Sequence, residues 1–167
     1  MKRLVFLILL FGAQAEAQSV RHRFELIATV GRSAFGEDEE GRNVFGSSLR
    51  YSITDGLGIE PEVLYMWEDE GGVSNRSVTV IPHISLDFKP KSNVRPYLIA
   101  GVGWLHFTGT VRHSFLPSPV NFSGNNLSWN VGVGVKIFLV RRVFLAPDFR
   151  AGHDPGARLT LNVGFAF

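Results

Sequence analysis

The chain has 167 residues, no cysteine, 19% charged residues and a formal net charge of +2. That length holds one domain, and a disulfide framework or a thiolate metal site is excluded. Apolar residues make up 45% of the chain, which argues against intrinsic disorder, and no basic block suggests a nucleic-acid surface.

The first segment, residues 1–17, reads Met1-Lys2-Arg3, an apolar run from Leu4 to Phe11, then Gly12-Ala13-Gln14-Ala15-Glu16-Ala17. A basic end, a short apolar core and a small-x-small site form an export signal. Its core is too short to span a bilayer as a helix, which needs about 20 residues. Cleavage is expected after Ala17, leaving residues 18–167 as the folded domain of an exported bacterial protein.

The mature chain alternates with period two. Leu57, Ile59, Pro61, Val63, Tyr65 and Trp67 alternate with Gly58, Glu60 and Glu62. Val78, Val80, Pro82, Ile84, Leu86 and Phe88 alternate with Ser77, Thr79, His83, Ser85 and Asp87. Leu127 to Leu139 and Leu159 to Phe167 follow the same rule, and 22–34, 42–53, 95–108 and 143–152 follow it less cleanly. In 95–108 either phase is open. Short turns (Thr54-Asp55-Gly56, Lys89–Asn93, Val140-Arg141-Arg142) alternate with longer polar connections (Gly36–Gly41, Glu68–Asn75, Gly109–Asn126, His153–Ala157). This predicts an all-β fold, an eight-stranded antiparallel up-and-down transmembrane β-barrel with both chain ends on the periplasmic side.

A soluble, lipocalin-like barrel also alternates, but its solvent face must be polar. Here one face is almost purely apolar and the other mixes Gly, Ser, Thr and Asn with charges of both signs. Aromatic residues collect near strand ends: Phe45, Tyr65, Trp67 and Trp129 at the outer end, Phe24, Phe88, Tyr97 and Phe167 at the periplasmic end. Two girdles suit two lipid–water interfaces.

Arg95-Pro96-Tyr97-Leu98-Ile99-Ala100-Gly101-Val102-Gly103, Val131-Gly132-Val133-Gly134-Val135-Lys136 and the terminal Val163-Gly164-Phe165-Ala166-Phe167 resemble the small bacterial outer-membrane β-barrel proteins, the family that includes OmpA-type transmembrane domains. The resemblance covers the mature chain, and no peptidoglycan-binding domain is expected after the barrel. It implies the outer membrane as location, surrounding lipid and lipopolysaccharide as partners, and a terminal signal (Val163, Phe165, Phe167) read by the barrel-assembly machinery. A monomer without cofactor is the expectation.

The inward phase carries Glu25, Arg50, Glu60, Glu62, Asp87, Lys136, Asp148, Arg150 and Arg158. Such a barrel is just wide enough for side chains to fill it, so these charges are expected to pair as a plug, with Arg50 facing Glu60 or Glu62. A structural or surface-interaction role follows. The alternatives are a narrow channel for small solutes and a lipid A-modifying hydrolase. The lipid A 3-O-deacylase family carries His-x-Ser-Asn on its penultimate strand. Here His153 is followed by Asp154 and Pro155, and no activated nucleophile stands beside it. His22, His83, His106 and His113 show no metal-ligand spacing. The cluster Glu37-Asp38-Glu39-Glu40 reads as a solvated loop or as a site for divalent cations bridging lipopolysaccharide. The apolar residues Phe115, Leu116, Pro117, Val120 and Phe122 mark the longest loop as a candidate binding surface.

Overall fold

The computed structural model describes residues 23–34, 41–70, 72–112, 118–153 and 156–167. The expected export signal (1–17), Glu37–Glu40, His22, His113, Phe115–Pro117 and Asp154-Pro155 lie outside them. The strands are β1 (Phe24–Ala34), β2 (Arg42–Ser52), β3 (Leu57–Glu70), β4 (Val73–Asp87), β5 (Val94–Val111), β6 (Val120–Phe138), β7 (Val143–His153) and β8 (Ala157–Ala166). Each pairs antiparallel with its chain neighbours, and β1 pairs with β8 to close the barrel.

Closure gives every strand two partners and removes free edges from the body of the sheet. The seam is held at one end by reciprocal backbone bonds, Phe24 N–H to Phe167 O at 3.1 Å and Phe167 N–H to Phe24 O at 2.9 Å. Three tight connections lie at this end, here called the turn end; the opposite end is the loop end. In the first turn the Thr54 hydroxyl oxygen accepts from Leu57 N–H at 3.0 Å and Gly56 N–H at 3.3 Å. In the second, Lys89 takes a left-handed φ of 53°, and Ser92 N–H bonds back to Lys89 O at 2.9 Å.

The phase of β5, ambiguous in sequence, is settled: Tyr97, Ile99 and Leu105 are buried while Leu98, Val102 and Trp104 are exposed. Two expected loops are largely strand. β3 and β4 pair up to Glu70↔Val73, and β5 and β6 pair up to Val111↔Val120. Their polar, glycine-containing stretches lack the apolar outward face that marks the strands below them. They pair nonetheless, because backbone bonding needs no apolar face.

The outward face changes polarity sharply. On β5 it reads Pro96, Leu98, Ala100, Val102 and Trp104, then His106, Thr108 and Thr110. On β4 it reads Leu86, Ile84, Pro82, Val80 and Val78, then Arg76 and Ser74. The neighbouring β6 changes at the same level, after Leu127, with Asn125 and Ser123. An apolar band therefore girdles the barrel between two polar ends.

Candidate functional site

The inward phase brings charges from distant strands together. At the turn end Glu25, Arg50, Asp87 and Lys136, from β1, β2, β4 and β6, form a ring of ion pairs. Lys136 Nζ donates to Glu25 at 2.7 Å and to Asp87 at 3.3 Å. Arg50 meets Glu25 at 3.4 Å and Asp87 at 3.3 Å. Two acids and two bases leave the ring neutral. Below it a vestibule of about 170 Å³ opens at the turn end.

The expected pairing of Arg50 with Glu60 or Glu62 does not form. Arg50 pairs instead with Glu25, directly opposite it on the neighbouring β1, and its guanidinium reaches past β3 to β4, where it meets Asp87 and donates to Ser85 Oγ at 2.8 Å. Glu60 instead accepts from the Ser48 hydroxyl at 2.9 Å.

Nearer the centre, Glu62 accepts from Arg158 Nη2 at 2.7 Å and from Arg150 Nη1 at 3.1 Å. Asp148 accepts from Arg150 Nε at 2.8 Å, from the Tyr97 hydroxyl at 2.9 Å and from the Thr160 hydroxyl at 2.8 Å. His83 Nε2 lies 3.0 Å from Asn130 Oδ1. Glu62 Oε1, Asn130 Nδ2 and two nitrogens of Arg158 have no protein partner, as suits an interior that admits ordered water. Removing one member of such a group strands its partner as a buried charge, at about 3–5 kcal/mol.

Apolar clusters fill the remaining width: Ile27, Tyr97, Ile99, Phe144 and Ala146 in one, Val44, Leu64, Met66 and Leu105 in the other. Four inward aromatic rings share one device, each lying on the glycine directly across the ladder. The pairs are Tyr97 on Gly134, Phe107 on Gly124, Phe122 on Gly109 and Phe144 on Gly164. A Cβ at any of these glycines would enter the ring.

Tyr97 is thus a correction to the expected aromatic girdle. It is only 5% exposed, because its phase points inward, Gly134 leaves room for its ring, and Asp148 takes its hydroxyl proton. Phe24, Phe45, Tyr65, Phe88, Trp129 and Phe167 are exposed on the outward face, and Trp67 is half-buried beside Tyr65. Val163, Phe165 and Phe167 also face outward, and Phe167 stacks on Phe24 across the seam with ring centroids 5.8 Å apart. His83, Asn130 and Tyr97 were not foreseen as members of the interior group. For His83 and Asn130 the inward phase is the signal that marks them in the sequence; Tyr97 has none, since the phase of β5 is open there.

Above the apolar band the rim is uneven. β7 stops at His153, which pairs with Trp129, while β6 continues back to Val120. β3, β4, β5 and β6 therefore rise as a wall above β7, β8, β1 and β2. Along the free flank of that wall, Val120 to Asn125 pair with β5 and with no other described strand.

His153 ends β7 on the outward phase and is exposed. Ser128 is buried on the inward phase and donates to the His153 carbonyl at 3.3 Å. A hydroxyl and an imidazole on opposite faces of one sheet cannot act as nucleophile and base. Among the described residues no three His, Cys, Asp or Glu side chains cluster as metal ligands.

A closed antiparallel barrel with an apolar outer band and a polar, charged interior is the architecture of an integral β-barrel membrane protein. The chain belongs to the outer membrane protein beta-barrel domain family, whose pattern matches residues 4–166. Its fold is similar to the N-terminal β-barrel domain of Pseudomonas aeruginosa OprF, at 22% identity and a TM-score of 0.56, covering 87% of this chain and 98% of that one. It is similar to Neisserial surface protein A, NspA, at 18% identity and a TM-score of 0.66, covering 86% and 96%. It is also similar to Ail, the attachment invasion locus protein of Yersinia pestis, at 11% identity and a TM-score of 0.57, covering 87% and 98%. These identities carry the fold alone. No curated protein matches the sequence.

Proposed function

We propose that this chain is a closed, non-enzymatic outer-membrane barrel whose raised wall serves surface interaction. In this reading the turn end faces the periplasm and the loop end faces outward. The observation that carries it is the flank of β6 from Val120 to Asn125, which pairs with no described strand but β5. A strand edge with open N–H and C=O groups is a template for an incoming extended segment. Beneath it, the paired charges and apolar clusters serve as a plug that fixes the barrel's shape and leaves the wall as the working part. That one neighbour is named a surface protein and another an attachment protein accords with this reading.

The test is photo-crosslinking in intact cells, with a benzophenone amino acid at position 123 or 125 and, as control, at the outward position Leu98. Adducts with a second protein are expected from the wall and not from Leu98. They should vanish when residues 109–122 are replaced by an Asn-Gly turn. Absence of adducts from the wall overturns the surface role. Discrete bilayer conductance steps that change on Glu62→Ala would replace it with the channel reading.

A further inference from the structure

The three turns at the turn end differ in charge. The β4–β5 turn carries Lys89 and Lys91, and the β6–β7 turn carries Arg141 and Arg142, with no acid on either. The β2–β3 turn carries Asp55 and no base. The two basic turns are neighbours. Phe138 N–H donates to Asn93 O at 2.8 Å, and the Arg95 guanidinium lies 4.1 Å over the Phe138 ring. All four basic side chains are exposed, and among the described residues no carboxylate is within ion-pair distance of them.

Directly above this pair of turns, the outward wall of β4 to β7 is not smooth. Two contiguous, shallow apolar grooves run up it and share Leu98, Val133 and Phe149. Ala100, Gly132 and Ala151 are the small residues lining the upper groove. The lower groove reaches Phe88, the residue before Lys89. The apolar groove thus ends beside Lys89, with Lys91, Arg141 and Arg142 on the same two adjoining turns.

We propose that this slot holds an anionic phospholipid of the inner leaflet, its acyl chain in the groove and its phosphate between the two basic turns. The inference rests on the orientation given under Proposed function. Cations beside anionic headgroups attract them within a Debye length. The slot supplies the shape that a bare patch of charge lacks.

Native mass spectrometry of the protein, released from nanodiscs of equal phosphatidylglycerol and phosphatidylcholine, reads the site. Wild type is expected to retain phosphatidylglycerol preferentially, and less so as salt rises. The variant Lys89→Gln/Lys91→Gln/Arg141→Gln/Arg142→Gln is expected to lose that preference about tenfold. Filling the groove with Ala100→Leu/Ala151→Leu is expected to lower retention of both lipids with the charges intact. Arg76→Gln/Arg112→Gln at the loop end is expected to change nothing. Wild-type preference in the fourfold variant, equal loss in the loop-end variant, or indifference to salt each overturns the proposal. Heat-shifted gel mobility shows that each variant is folded. Labelling of Lys91→Cys from outside intact cells would overturn the inner-leaflet assignment and the orientation while leaving the retention result in place.

Discussion

The band that crosses the membrane and the wall that rises above it are continuous strands obeying different rules. Within the band one face is apolar and the other polar, so each residue's phase decides whether it meets lipid or interior. Above Trp104 and Leu127 the outward face turns polar, with His106, Thr108 and Thr110 on β5 and Asn125, Ser123 and Asn121 on β6, and the large side chains, Phe107 and Phe122, are on the inward phase. There the strands persist on cross-strand pairing and on the stacking of Phe107 and Phe122 over glycines. Strand length in this protein is therefore not set by bilayer thickness, and stability should be concentrated in the lower part.

The largest effect should come from the charged centre. Arg150→Met leaves Glu62 and Asp148 short of a partner and should lower stability by about 3 kcal/mol, read as a shift in the urea midpoint of the folded barrel. A smaller loss, about 1–3 kcal/mol, is expected for Gly164→Ala, where the new methyl would displace the Phe144 ring. The smallest is expected in the wall: Phe122→Ala should change global stability by under about 0.5 kcal/mol. The same division should appear in amide exchange. Val120 to Asn125 should exchange by local opening, and Val131 to Val135 only with global unfolding. Equal protection of the two segments would erase the distinction.

The band was legible in the sequence because lipid imposes one strict pattern. Period two assigned an inward or outward face to most strand residues, and the nine inward charges all lie inside. Their partners were not legible. Alternation along β2 and β3 suggests Glu60 or Glu62 for Arg50, but its partners come from β1 on its other side and from β4 beyond β3, and the interior adds Lys136 of β6 to the same ring. Tyr97 was misplaced because an aromatic near a strand end suits an interface as well as a core. The phase of β5, the glycine across the ladder and the Asp148 acceptor together separate the two. The wall reads as loop in the sequence because its outward face is polar and its few inward apolar residues alternate with glycine.

The ion pairs of the interior bear on how the barrel can reach its membrane. Lys136 and Glu25 are 111 residues apart, Arg158 and Glu62 are 96 apart, and Arg150 and Glu62 are 88 apart. No single hairpin carries both members of these pairs. A hairpin entering the bilayer alone would expose an unmatched ion to hydrocarbon, at about 2.5–3.5 kcal/mol for each such group. The N-terminal and C-terminal halves must therefore meet before or during insertion. That makes closure of the β1–β8 seam part of the insertion step and not its sequel.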